Sequence, residues 1–262
     1  MLVTSEALCP ERLKRQAERI ARVASWLART WRVHGMGNLI IEALPRNEFE
    51  LLQSQLSEVH LKKGKVLFNL NEPVRGVYFP IYGLVSCFAK TREGNTIEVY
   101  SVGREGILEM SAVLTQVALV QATVQIPGSA FWIPVDDLCN LLHQTTVLPR
   151  LLLRCACSSL MRILQNTACA KFHSVEQRLS LWLLIAHDRT AASVIRCTHE
   201  TLAQVLGIRR ATVTTTVSAL HNIGVLRQGR GSLTIADMRK LERIACTCFD
   251  IIRASDNVEI NC

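Results

Sequence analysis

Two short helices joined through a glycine are predicted by residues 198–220, which read THETLAQVLGIRRATVTTTVSAL. Thr198 can cap the first helix, and Gly207 can adopt the left-handed conformation that ends it. Apolar residues recur at intervals of three and four, which gives each helix an inward face. These residues are Leu202, Ala203, Leu206, Val213, Val217 and Leu220. The stretch therefore predicts a helix-turn-helix whose second helix spans residues 209–221.

The outward face of that second helix has basic and hydroxyl side chains and no acid: Arg209, Arg210, Thr212, Thr214, Thr215 and Ser218. In a major groove, Arg can bond guanine edges, while Thr and Ser reach bases or phosphates. A strand–glycine–strand pattern over residues 224–235 predicts a wing with Arg227 and Arg230 near its tip. We expect all these residues, with Thr198 and His199, to bind double-stranded DNA.

Upstream of this motif, short β-prone runs alternate with turn residues, which is typical of a jelly-roll or sandwich. Turns are expected at several glycines, among them Tyr82-Gly83 and Pro127-Gly128. The predicted strands cover residues 59–61, 65–68, 77–79, 84–89, 96–102, 121–126 and 130–134.

A long helix is predicted after these strands, over residues 148–169, a stretch that has no Gly and no Pro after Pro149. One of its sides carries Leu148, Leu152, Cys155, Ser159 and Arg162. Periodicity alone leaves two interpretations of this side, a dimer seam and an ordinary core-facing helix.

The predicted fold class is α+β: a jelly-roll or sandwich domain, a long helix and a winged helix-turn-helix, in that order. The domain bounds are a basic N-terminal extension (1–35), the strand-rich domain (36–143), the long helix (144–170), the DNA-binding domain (171–250) and a C-terminal tail (251–262). Within the extension, apolar residues spaced by three and four predict an amphipathic helix.

Charge separates the chain into basic ends and a neutral middle. Residues 171–262 hold twelve Lys/Arg against eight Asp/Glu, whereas residues 36–170 hold eleven of each. The formal net charge is +8. A basic C-terminal domain favours a polyanionic partner such as nucleic acid, although a solvated basic face has the same signature.

The ten cysteines come without a secretory signal or a membrane-spanning run, which predicts reduced thiols and a cytoplasmic location. Cys155/Cys157 and Cys246/Cys248 are both spaced C-x-C. On a helix such residues point to different faces, so we expect no metal site at either pair. No Walker loop, H-E-x-x-H or G-x-S-x-G pattern occurs, which argues against an enzyme.

Several phrases together resemble the Crp/Fnr family of bacterial transcription regulators over residues 37–250. They are Val77–Pro80, Gly83–Ser86, Val102–Gly106, Gln125–Gly128, Gln165–Cys169, His173–Leu179, Leu206–Arg210 and Ala245–Phe249. The resemblance implies that residues 36–143 form a cyclic-nucleotide-binding-like β-roll that acts as a sensor domain, and that residues 144–170 form a dimerisation helix. It also implies a homodimer and a near-palindromic DNA site. By the same resemblance, the family's base-reading arginine corresponds to Arg210, and the recognition-helix position four residues later corresponds to Thr214.

The sensor domain departs from the family pattern. Relatives that bind cyclic AMP hold its phosphate with an Arg-Ser pair, and the matching position here is Gln121-Ala122. Without that cation a buried phosphate would be poorly compensated, which argues against cyclic AMP. Relatives with an iron–sulfur cluster carry an N-terminal cysteine cluster, whereas only Cys9 precedes residue 87 here. No cofactor is therefore assigned.

A small-molecule effector of unknown identity would contact the loop and strand residues Arg104, Glu105, Gly106, Glu109 and Gln121. The alternative, which we favour, is that Arg104 and Glu105 simply pair with each other. The alternative function is a ligand-sensing or protein-interaction module without DNA binding. RNA polymerase is a further candidate partner, because transcription activation would require a surface that contacts it.

Overall fold

The computed structural model describes residues 37–256, so the basic N-terminal extension lies outside the described residues. Two short helices come first, α1 (Leu39–Glu42) and α2 (Arg46–Gln53). Asn38 caps α1 and reaches across the fold, since its amide donates to the carbonyl oxygens of Pro80 and Gly106 at 2.8 and 3.0 Å. These bonds fix the start of the described chain to the β-roll.

The β-roll is an antiparallel sheet of five strands, β1 (Ser57–Leu61), β2 (Val66–Phe68), β3 (Gly76–Lys90), β4 (Thr96–Val102) and β5 (Gln121–Pro134). The strand order is β1-β5-β3-β4, and β2 also pairs with β5. A four-residue helix, α3 (Ala112–Thr115), lies between β4 and β5. The strand-rich domain is confirmed.

Two expected turns are bends inside long strands instead. Tyr82-Gly83 lies within β3 and Pro127-Gly128 lies within β5, where the pairing register shifts. Gly83 has φ +103°, and a Cβ on Gly128 would overlap the carbonyl of Tyr82. These glycines therefore permit close approach of two bulged strands, a role that local turn chemistry does not distinguish from a loop.

The helical segment begins with α4 (Val135–Gln144) and continues as α5 (Val147–Phe172), the long helix. Glu48 of α2 caps α5, because its carboxylate accepts backbone N–H bonds from Thr146, Val147 and Leu148 at 2.8–3.1 Å. Burial disfavours the charged form of this carboxyl group and works to raise its pKa. The hydrogen bonds from the three backbone N–H groups outweigh burial, so the pKa of Glu48 is lowered.

The two interpretations of the long helix apply to different faces of α5. Leu148, Leu152, Cys155 and Arg162 are buried within the chain, so the predicted stripe is core-facing. A second stripe stays uncovered: Leu153, Leu160 and Leu164 are 68, 57 and 56% exposed. The uncovered stripe is the one available to a second protomer.

The DNA-binding domain begins with α6 (Val175–Thr190), which Ser174 and Gln177 start through a capping box. The helix pair α7 (His199–Leu206) and α8 (Arg210–Asn222) follows. Three short strands, β6 (Val194–Ile195), β7 (Leu226–Gly229) and β8 (Ser232–Ile235), pair in the order β6-β8-β7.

Two helices close the domain, α9 (Met238–Ile244) and α10 (Cys248–Asp256). The boundary predicted at residue 250 falls inside α10, which packs along α5; Ser158 donates to the carbonyl of Ser255 at 2.7 Å. Residues 251–256 are thus part of a packed helix. The rest of the predicted tail lies outside the described residues.

An apolar cluster joins the two domains. Leu84, Phe88 and Ile126 of the β-roll belong to the same buried cluster as Leu179 and Trp182 of α6 and the core of the winged helix-turn-helix. Along residues 37–256 no helix combines the length and the hydropathy that a membrane span requires.

Candidate nucleic-acid interface

The first helix of the predicted motif begins as expected. The hydroxyl of Thr198 accepts the backbone N–H of Thr201 at 3.1 Å, which satisfies one of the free donors at the start of α7. Leu202, Ala203 and Leu206 are buried. Their burial directs α7 inward and leaves Glu200 and Gln204 exposed.

The turn between α7 and α8 depends on Gly207, which has φ +63°. Its N–H bonds to Gln204, and the N–H of Ile208 bonds to Ala203 at 3.0 Å, so the carbonyls at the end of α7 are satisfied. A Cβ at Gly207 would lie 3.0 Å from the side chain of Ile97 in β4. The turn therefore packs directly against the β-roll.

The inner and outer faces of α8 are as predicted. Val213, Val217 and Leu220 are fully buried. Among the outward residues only Ser218 is partly buried. The exposed set is Arg209, Arg210, Thr212, Thr214 and Thr215. Because α8 itself contains no acid, this surface presents only positive charge and hydroxyls to a phosphate backbone.

Hydrogen bonds fix the threonines of this face. Thr214 donates to the carbonyl of Arg210 at 3.1 Å, and its hydroxyl also lies 3.0 Å from Nδ1 of His199. Thr215 donates to Ala211 at 3.1 Å. The hydroxyl protons of Thr214 and Thr215 are thus engaged with backbone, so their oxygens act as acceptors and their methyl groups as apolar contacts. His199 is thus in direct contact with Thr214 of this surface.

The two arginines lie at the amino end of α8. Arg209 is the residue before the helix and provides no side-chain cap. Arg210 borders two grooves, one against the β3–β4 turn residues Gly94–Thr96 and one against the wing. The groove on the wing side, of about 310 Å³, also includes Thr198, His199 and Gln228. Three of the predicted DNA-binding residues, Thr198, His199 and Arg210, therefore line one groove together with Gln228.

The wing is the β7–β8 hairpin. Arg227 is exposed on β7, and Arg230 is exposed in the turn, where Gly231 has φ +70°. Sequence reasoning missed Gln228, which lines the groove beside Arg210. Gln228 follows Arg227 near the exposed tip of the predicted wing, and this position could have marked it as a candidate DNA-binding residue.

The residues expected to bind an effector are not brought together. Glu105 does not pair with Arg104. Its carboxylate accepts from Arg162 at 2.9 Å and from Arg189 at 2.7 Å, and both arginines also reach Asp256, at 3.0 and 2.8 Å. These four side chains, named the charge cluster below, are almost fully buried. Burial works to lower the pKa of Arg189, but the two carboxylates outweigh burial and raise it.

Three of the remaining effector candidates also have internal contacts, and Arg104 differs from them. Glu109 is buried and accepts from the hydroxyl of Ser111 and from the N–H of Leu119; burial raises its pKa. Gln121 bonds Asn69 at 3.5 Å. Gly106 is buried, and its carbonyl accepts from Asn38. Arg104 is exposed beside a cavity of about 280 Å³ that also borders the charge cluster.

Comparison with known proteins agrees with both domains. A family model for a cyclic nucleotide-binding domain matches residues 58–145, and one for a Crp-like helix-turn-helix domain matches residues 177–244. The transcriptional regulatory protein btr of Bordetella pertussis is 25% identical over 215 residues, which cover 77% of this chain and 86% of btr.

Solved structures share the fold at low identity. FixK2 from Bradyrhizobium japonicum superposes with a TM-score of 0.61 at 17% identity, covering 73% of this chain and 98% of that chain. A transcriptional regulator of the CRP/FNR family from Thermus thermophilus gives 0.59 at 22% identity, covering 72% and 98%. The two matched domains, their order and the shared fold together establish that the chain belongs to the Crp/Fnr family of transcription regulators.

Proposed function

We propose that the chain regulates transcription as a homodimer that reads a near-palindromic DNA site with α8. The observation that carries the proposal is the exposed, acid-free face of α8, with Arg210 at its amino end and the wing beside it. In this geometry Arg210 bonds guanine, while Arg227 and Arg230 contact phosphates.

The uncovered stripe of α5 supports the dimer. Leu153, Leu160 and Leu164, with the exposed Cys157 between them, recur at steps of four, three and four. That spacing is the seam of a two-helix coiled coil. A two-fold axis along this seam would present two copies of α8 to successive major grooves, about 34 Å apart on the duplex.

We propose further that an effector, where one acts, changes the orientation of the DNA-binding domain rather than the face of α8. The charge cluster and the shared apolar cluster hold the two domains in one arrangement. A ligand that binds a different arrangement more tightly would shift the population toward it. The exposed Arg104 borders the cavity beside this joint and is the remaining effector candidate of the 103–110 loop.

Cyclic AMP is not the effector in this proposal. The position that the resemblance assigns to the phosphate clamp carries Gln121, which bonds Asn69, and Ala122, which is 1% exposed in the core. Neither can neutralise a phosphate. Cyclic AMP is therefore expected to leave DNA binding unchanged, and isothermal titration with the nucleotide is expected to give no heat of binding.

The test is selection of bound duplexes from a random library with three proteins: the natural sequence, Arg210→Ala and the control Arg75→Ala. Arg75 is an exposed β-roll residue, so its substitution removes the same charge away from α8. We expect a two-fold-symmetric motif from the natural chain and the control. Arg210→Ala should lose about 1–3 kcal/mol per half-site and its preference at one base position.

Two outcomes would contradict the proposal. Equal enrichment of the same motif by Arg210→Ala would remove Arg210 from base reading. No enrichment by any of the three proteins, with or without cell-extract metabolites, would favour the alternative of a ligand-sensing or protein-interaction module. Once a motif is known, a run-off assay with RNA polymerase decides between activation and repression.

A further inference from the structure

Four potential metal ligands converge where the long helix meets the DNA-binding domain. Cys169 lies in the last turn of α5, and His173 is the C-cap residue between α5 and α6. Cys246 and Cys248 flank the junction between α9 and α10. The two pairs are more than seventy positions apart in sequence, yet the fold brings them to one place. These four residues are named the thiol cluster.

The spacing of the ligand atoms is that of a site for one ion. The Sγ atoms of Cys169 and Cys246 are 3.5 Å apart, and Sγ of Cys248 lies 3.4 Å from Nδ1 of His173. All four ligand atoms lie within 4.8 Å of one another. Around a tetrahedral zinc with bonds of about 2.3 Å to sulfur and about 2.0 Å to nitrogen, neighbouring ligands stand roughly 3.5–3.8 Å apart.

Other states of the thiols fit less well. A disulfide needs two sulfurs about 2.05 Å apart, well below the observed 3.5 Å between Cys169 and Cys246. An iron–sulfur cluster places several iron and sulfide atoms between its thiolates, and these separate the ligands more widely than one ion does. The short spread of the thiol cluster therefore favours a mononuclear site.

The surroundings of the cluster are those of a closed structural site. The three cysteines are 3, 4 and 1% exposed and pack with the apolar Leu181, Ile185 and Ile252. Gln165 of α5 donates from Nε2 to Sγ of Cys248 at 3.0 Å. A hydrogen bond donated to a ligating sulfur by a residue outside the ligand set is a contact that orients metal ligands.

Two cysteines spaced C-x-C point to different faces on the premise that the backbone between them is helical. That premise is correct for Cys155 and Cys157, of which the first is buried and the second is exposed on α5. It is wrong for Cys246 and Cys248, because α9 ends at Ile244 and α10 begins at Cys248. The break between the helices lets both thiols face the same point.

We propose that Cys169, His173, Cys246 and Cys248 bind one Zn²⁺ ion in a closed Cys₃His site. Binding releases the thiol protons to solvent and leaves three thiolates and a neutral imidazole on the ion. The ion would tie the end of α5, the α5–α6 junction and the start of α10 together. Its role is to fix the angle between the long helix and the DNA-binding domain, independently of which DNA sequence is read.

The test uses the full-length reduced chain, stripped of metal and titrated with Co²⁺ as a spectroscopic substitute for Zn²⁺. We expect about one equivalent to produce the ligand-field bands of tetrahedral cobalt and a thiolate charge-transfer band. Zn²⁺ should then bleach both. Cys155→Ala, which removes another buried thiol of α5, should leave the spectrum unchanged, whereas Cys169→Ala and Cys248→Ala should abolish it.

A further variant guards against loss of signal through misfolding. His173→Cys offers four thiolates in place of three, so its charge-transfer intensity should rise by about a third. The proposal is overturned if the natural chain shows no tetrahedral bands, or if the bands survive both Cys169→Ala and Cys248→Ala. It is also overturned if the chain as purified contains iron and acid-labile sulfide at this cluster.

Discussion

The charge cluster makes Glu105→Gln a decisive substitution. Glu105 and Asp256 balance Arg162 and Arg189, and the ion pairs among these side chains measure 2.7 to 3.0 Å. Removal of one carboxylate charge leaves a net positive charge in a site where the side chains of Glu105 and both arginines are 3% exposed. Glutamine keeps the shape, so the effect reports charge rather than a cavity.

Removal of one partner from a buried ion pair is destabilising by about 3–5 kcal/mol. The amide oxygen of glutamine still accepts one guanidinium bond, so we place Glu105→Gln near the lower end, at about 3 kcal/mol. With a urea m-value of about 3 kcal/mol/M, the unfolding midpoint should fall by roughly 1 M. Glu58→Gln on exposed β1 is the matched control and should stay within about 0.5 kcal/mol.

A second substitution separates charge from shape. In Glu105→Gln with Arg162→Met, one carboxylate and one guanidinium remain, and the buried site is neutral again. The double variant should therefore recover a large part of the loss, which a double-mutant cycle measures. If Glu105→Gln unfolds at the same urea concentration as Glu58→Gln, the structural role assigned to Glu105 is wrong, and Glu105 becomes available again as a ligand-binding residue.

Three further predictions concern the other surfaces. Arg230→Ala should weaken binding to all duplexes alike and reduce the slope of log K against log salt by about 1, measured by fluorescence anisotropy, whereas a sequence-dependent loss would place Arg230 on a base. Burial raises the pKa of the Glu98 carboxyl group from an ordinary 4.5 to about 7. The folded state therefore binds this proton more tightly than the unfolded state does. The resulting stabilisation of the fold is complete below pH 4.5 and is lost as pH rises through 7. Thermal melts should therefore show falling stability from about pH 5 to 8 in the natural chain and a flatter profile in Glu98→Gln; parallel profiles would exclude Glu98 as the cause. Leu160→Glu should convert the dimer to a folded monomer in sedimentation velocity, and an unchanged dimer would move the interface away from the uncovered stripe of α5.

Local sequence signals were sufficient for the elements around α8. Gly207 ends α7 because a left-handed residue is needed there, and Val213, Val217 and Leu220 point inward because their spacing matches the helix. The same local signals misjudged Gly83 and Gly128, since a glycine that lets two strands approach has the same immediate neighbours as one in a turn.

Contacts between distant segments were beyond the reach of pattern reasoning. A 26-residue helix such as α5 carries more than one apolar stripe, and only the position of the β-roll shows which stripe is covered. Glu105 has an arginine next to it in sequence but bonds two arginines 57 and 84 positions away. The thiol cluster was invisible for the same reason, because its two halves meet only after α10 has packed against α5.

The apolar cluster shared by the β-roll and α6 limits how this protein can be rebuilt from parts. A chimera cut before α6 would leave Leu84, Phe88 and Ile126 of the β-roll facing water, and would leave Leu179 and Trp182 of the transplanted domain without their partners. A graft onto another regulator must therefore carry those three β-roll positions with it. The portable unit of DNA recognition here is larger than the segment that touches DNA.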